Sequence, residues 1–68
     1  MTYKEFIEHC YCCGGNWIDM LLTGCRELWP EDTKVFEEKD EAFKTDDGFV
    51  QYAAIVKFLR NHGVEVNG

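Results

Sequence analysis

Residues 16–30, NWIDMLLTGCRELWP, carry the pattern on which the fold turns. Ile18, Leu21, Leu22, Cys25, Leu28 and Trp29 recur at i, i+3, i+4, i+7, i+10 and i+11, which lays one apolar stripe along an α-helix. Asp19, Thr23, Arg26 and Glu27 fall on the other side. Asn16 is a good N-cap residue, and Asp19 stands in the first turn, near the positive end of the helix dipole. Pro30 ends this helix or opens the next segment. The pattern therefore predicts a helix from about Trp17 to Leu28.

Upstream, Thr2 and Glu5 have the spacing of a capping box. Tyr3, Phe6, Ile7, Cys10 and Cys13 share a face, which predicts a helix from about Tyr3 to Cys13 that Gly14-Gly15 stops. The connection Gly14-Gly15-Asn16 is short, so the two helices are expected to form an antiparallel hairpin.

Downstream, a helix is expected from about Gly48 to Asn61, capped by Asp46 or Asp47 and ended by Gly63. It has two apolar faces, one of Phe49, Tyr52, Ala53, Val56 and Leu59 with Ile55 at its edge, the other of Val50, Ala54 and Phe58. A helix apolar on two sides is usually packed between neighbours. The segment from Pro30 to Lys44 reads as a short helix, with Val35, Phe36, Ala42 and Phe43 as its apolar residues. The fold class is thus all-α: one domain, residues 1–68, a small bundle of three to four helices built on the N-terminal hairpin. The alternative is α+β, with residues 34–37 and 64–66 forming a short β-hairpin, which at that size is marginal.

Composition narrows the function classes. A hydrophobic fraction of 46% is too high for a disordered chain. The formal net charge of −6 argues against direct nucleic-acid binding, which needs a basic patch, and against an anionic membrane surface. A basic protein partner suits this charge better. Met1 to His9 mixes Lys4, Glu5 and Glu8 with apolar residues and has no secretory-type apolar core, and no stretch approaches a membrane span. The chain is expected in the cytoplasm, with its four cysteines as thiols or metal ligands rather than disulfides.

The potential metal ligands are Cys10, Cys12, Cys13, Cys25, His9 and His62. Cys10 and Cys13 make a single C-x-x-C inside a predicted helix, without the second pair that a tetrahedral zinc site often uses. In the hairpin, Cys25 falls level with Phe6 or Glu5, roughly 6 Å along the axis from Cys10 and roughly 10 Å from Cys13. That offset disfavours both a shared metal and a Cys10–Cys25 disulfide. His9, Cys12 and Cys13, neighbours at i, i+3 and i+4, form the secondary metal set. Cys10, Cys13 and Cys25 read first as small core residues, with no metal and no cofactor, while Cys12 points away from the core stripe.

No catalytic constellation surrounds His9 or His62, so the chain is read as a non-enzyme. The acidic run from Glu31 to Asp47 lacks the spacing of a calcium loop and reads as a solvated face or as a docking surface. The expected function is a small non-catalytic protein-interaction or regulatory module. Its acidic docking residues are Glu37, Glu38, Asp40 and Glu41, and Val50, Ala54 and Phe58 are a candidate homodimer seam. The alternative is a small zinc-binding domain using cysteine and histidine ligands.

Overall fold

The computed structural model describes residues 1–10 and 16–66. Its elements are α1 (Tyr3–Ile7), α2 (Trp17–Leu28), α3 (Pro30–Lys39), a 3₁₀ turn η1 (Glu41–Lys44) and α4 (Gly48–Asn61). The protein is all-α, a small helical bundle. Among the described residues no helix is long and apolar enough to cross a membrane.

Helices α1, α2 and α4 each start at a side-chain cap. The Thr2 hydroxyl accepts the Glu5 amide at 3.2 Å while the Glu5 carboxylate accepts the Thr2 amide at 2.9 Å, completing the capping box. Asn16 accepts the Asp19 amide at 2.9 Å. Asp47 accepts the amides of Phe49 and Val50. The bounds expected for α2 and α4 are those observed.

The first helix is shorter than its pattern predicts, ending at Ile7 rather than near Cys13. The amides of His9 and Cys10 donate to Phe6 and Ile7 at 2.9 Å, three residues back, so the helix tightens into a turn. The Cys10 thiol also donates to the Phe6 carbonyl, at 3.6 Å. The Gly14-Gly15 stop signal lies outside the described residues.

A sharp corner joins α2 to α3. Trp29 caps both, with φ −135° and ψ 69°, and Pro30 begins α3, where its missing N–H costs nothing. The Cys25 carbonyl accepts from the Trp29 amide at 2.8 Å and from the Thr33 hydroxyl at 2.9 Å. That second bond satisfies Thr33, a polar side chain with no exposed surface.

The core comprises Phe6, Ile18, Leu21, Leu22, Cys25, Ile55, Phe58, Leu59, Val64 and Val66. Aromatic rings tie its corners. Trp29 lies 6.2 Å from Phe6, 5.9 Å from Phe58 and 4.7 Å from the His62 ring, while Phe58 stacks on Phe36 at 4.5 Å and Phe36 meets Phe43 edge-on at 5.0 Å.

The β-hairpin alternative is corrected. Residues 34–37 lie within α3, and residues 64–66 turn instead to the N-terminus. Helix α4 ends in a Schellman turn at Gly63 (φ 83°), where the Val64 amide reaches back to Leu59 and the Gly63 amide to Arg60. Glu65 then bonds Met1 and Tyr3 through its amide and carbonyl, forming a single parallel bridge with Thr2. This return buries Val64 and Val66, and one bridge satisfies the backbone without a sheet.

Candidate functional site

Negative charge is concentrated on α3, η1 and the loop before α4. Eight of the thirteen acidic side chains, and only three of the seven cations, fall between Glu31 and Asp47. The expected docking acids divide by their local roles. Glu37 is half-buried and held in a two-point ion pair by Arg26, whose Nε donates at 3.1 Å while Nη2 bonds the other oxygen. That pair raises the Arg26 pKa. Asp40 is half-buried and caps η1 by accepting the Ala42 amide at 2.9 Å. Glu38 and Glu41 are exposed, as is Glu31 at the start of α3. Of the expected docking acids, Glu38 and Glu41 are therefore the exposed ones, and Glu31, Lys34 and Lys39 of α3 are exposed as well.

Asp32 belongs to a different arrangement. Its carboxylate lies 3.0 Å from His62 Nε2, and His62 Nδ1 donates to the Phe58 carbonyl at 2.9 Å. Trp29 and Phe58 flank the same imidazole. This joins the first turn of α3 to the end of α4. Both ring nitrogens of His62 are thus engaged, one by the Phe58 carbonyl and one by Asp32.

The expected seam along α4 is divided by burial. Val50 is exposed and Ala54 half-exposed, but Phe58 is only 8% exposed and stacks inside the core. The three do not form one open surface. The buried face of α4 runs through Ile55, Phe58 and Leu59 and takes residues from both faces read in the sequence. Its outer side carries Phe49 and Ala53, with Val56, which packs partly on the core, at the flank between the two. Phe49 is 84% exposed. Tyr52, Ala53, Val56, Lys57, Arg60 and Asn61 of α4, with Val66 of the returning tail, line an open groove of about 500 Å³. Sequence reading missed this feature because Val66 forms one of its walls. A partial signal is present: α4 contains no acidic residue in a chain that has thirteen.

Of the secondary metal set, Cys12 and Cys13 lie outside the described residues, and His9 Nδ1 is 3.9 Å from a Glu27 carboxylate oxygen. Among the described residues no three histidine, cysteine or carboxylate side chains are grouped as metal ligands. Cys10 and Cys25 are free thiols. Burial raises the Cys10 pKa and pushes Cys25 up to about 12, away from a reactive thiolate. The Cys10 sulfur sits against Gly24, within 2.4 Å of where a β-carbon would stand. Trp17 is half-exposed and pairs with Tyr52 at 4.9 Å, while Met20 packs partly on the core.

Compared with protein-family models, curated proteins and solved structures, the chain matches none.

Proposed function

We propose that this chain is a small, non-catalytic interaction module that docks on a basic protein partner through Glu31, Glu38 and Glu41 on α3 and η1. The observation that carries the reading is the segregation of charge. Residues outside Glu31–Asp47 hold five acids and four cations, so that part of the chain is nearly neutral, while the docking segment holds most of the net −6. A one-sided field steers a basic partner and orients it, whereas a uniform coat would serve solubility alone. The same charge opposes nucleic-acid backbones and anionic membranes as partners. The cytoplasm is the proposed compartment, with Cys10 and Cys25 kept as thiols there.

Titration calorimetry against a lysine-rich peptide over a series of salt concentrations tests this. The variant Glu31→Lys/Glu38→Lys/Glu41→Lys is compared with Glu8→Lys/Asp19→Lys/Glu65→Lys, which changes net charge equally at exposed positions elsewhere. The proposal expects the first variant to lose roughly tenfold or more in affinity and the second much less. Equal losses would mean that net charge alone attracts the peptide and would overturn the docking surface.

A further inference from the structure

The outward face of α4 has a geometry that a second copy of the same face satisfies. At 100° per residue, Phe49, Ala53, Val56 and Arg60 fall in a stripe about 60° wide, with Lys57 and Val50 beside it. The stripe is apolar in the middle and charged with opposite signs at its ends. Asp46 and Asp47 stand at the start of the helix, Lys57 and Arg60 near its end. Among the described residues neither Lys57 nor Arg60 is in an ion pair. Arg60 Nη2 donates to the Val66 carbonyl at 3.1 Å, which fixes the guanidinium at the groove and leaves other donors for a carboxylate.

We propose that two copies of this chain associate through α4, antiparallel, about a two-fold axis at Ala53. In such a pair, residues equally spaced before and after Ala53 face one another across the axis. Phe49 then meets Lys57 and its aliphatic stem, Val50 meets Val56, and Asp46 meets Arg60, each contact occurring twice. The exposed Phe49 ring enters the groove between Val56 and the Val66 tail of the other copy. Ala53, the smallest side chain of the stripe, lies at the crossing and lets the two helices approach to about 8 Å. Antiparallel alignment also sets each helix's positive end against the other's negative end. Charge and shape thus select a second copy. A partner with uniform charge would meet one end of the stripe favourably and the other unfavourably. This surface shares Asp46 with the acidic segment but none of Glu31, Glu38 and Glu41, so substitutions at those three leave the dimer contact in place.

One face of a helix about 21 Å long is a small interface, so the association constant belongs to the weak, micromolar class. Sedimentation equilibrium from about 20 µM to about 1 mM covers that range. A reversible monomer–dimer equilibrium is expected, weakened roughly thirtyfold or more by Phe49→Ala with the helical circular dichroism unchanged. A charge-exchange pair supplies the independent test. Asp46→Lys and Arg60→Glu are each expected to be monomeric, because each sets like charges together twice, and an equimolar mixture of the two is expected to dimerise because every contact is again opposite in sign. A monomer at about 1 mM, a dimer indifferent to Phe49→Ala, or a mixture no more associated than its components would each overturn the proposal.

Discussion

Gly24 of α2 lies close against Phe6 of α1 and the Cys10 sulfur beyond it, and Gly24→Ala measures that contact. In an exposed helix interior the change stabilises by about 1 kcal/mol, because alanine loses less backbone entropy on folding. Here a β-carbon would stand 2.4 Å from the Cys10 sulfur and 3.0 and 3.1 Å from two atoms of the Phe6 ring. The sulfur can rotate away from the Phe6 carbonyl that it bonds. The ring has no such freedom: Phe6 is fully buried, with Tyr3 and Trp29 against it. Overpacking of this kind costs about 1–3 kcal/mol, so the propensity gain is outweighed and the net loss is about 1 kcal/mol. For a chain of this length that lowers Tm by roughly 4–8 °C. Urea unfolding followed by circular dichroism and tryptophan fluorescence reads it, with an unchanged m-value as the check that the compactness of the unfolded state is unaltered. Adding Cys10→Ala removes the closest clash, so Gly24→Ala is expected to cost less in that background than in the wild type. A Gly24→Ala protein more stable than wild type would refute the packing of α1 on α2.

Other predictions follow from particular contacts. Phe58→Ala removes a ring stacked within the core and is expected to cost about 3–5 kcal/mol, whereas Phe49→Ala, measured at a dilution where the chain is monomeric, is expected to stay within about 0.5 kcal/mol; similar costs measured by chemical denaturation would contradict the burial of α4. With its thiol pushed up to about 12 by burial, Cys25 is expected to resist iodoacetamide at pH about 8 until denaturant is added, as read by peptide mass spectrometry, and rapid native-state labelling would contradict its place in the core. The Thr2 amide and hydroxyl hold the Glu5 pKa below the usual glutamate range, so Glu5 adds stability above that range and loses it as pH falls through its folded pKa. Glu5→Gln keeps the capping geometry without the charge, so the wild type's advantage at neutral pH is expected to shrink on acidification, and a gap independent of pH in parallel unfolding curves would contradict this.

Much of the architecture was legible because capping and periodicity are local. Asn16 and the stripe from Ile18 to Leu28 give α2 its start and its buried face, and Asp47 and Gly63 bracket α4. The end of α1 was not legible, because the Phe6 and Ile7 carbonyls are taken by amides three residues on while the apolar period continues to Cys13. The facing of α4 was not legible either. Its apolar residues span so wide an arc that periodicity cannot say which part the neighbours cover. The structure gives Ile55, Phe58 and Leu59 to the core and leaves Phe49 outside. The acidic run was evident as composition, but the diversion of Glu37 to Arg26 and of Asp40 to a cap depends on contacts that no spacing rule encodes. The role of Val66 in the groove arises only when the tail folds back to Thr2.

The proposed recognition of a basic partner by Glu31, Glu38 and Glu41 is open to direct measurement. Quantitative affinity capture from a native extract tests it most directly, using as bait the wild-type chain, the Glu31→Lys/Glu38→Lys/Glu41→Lys variant and the equally charged Glu8→Lys/Asp19→Lys/Glu65→Lys variant. A basic protein is expected to be retained by the wild type and by the second variant, eluted by moderate salt, and absent from the first. The same proteins captured by all three baits would contradict it.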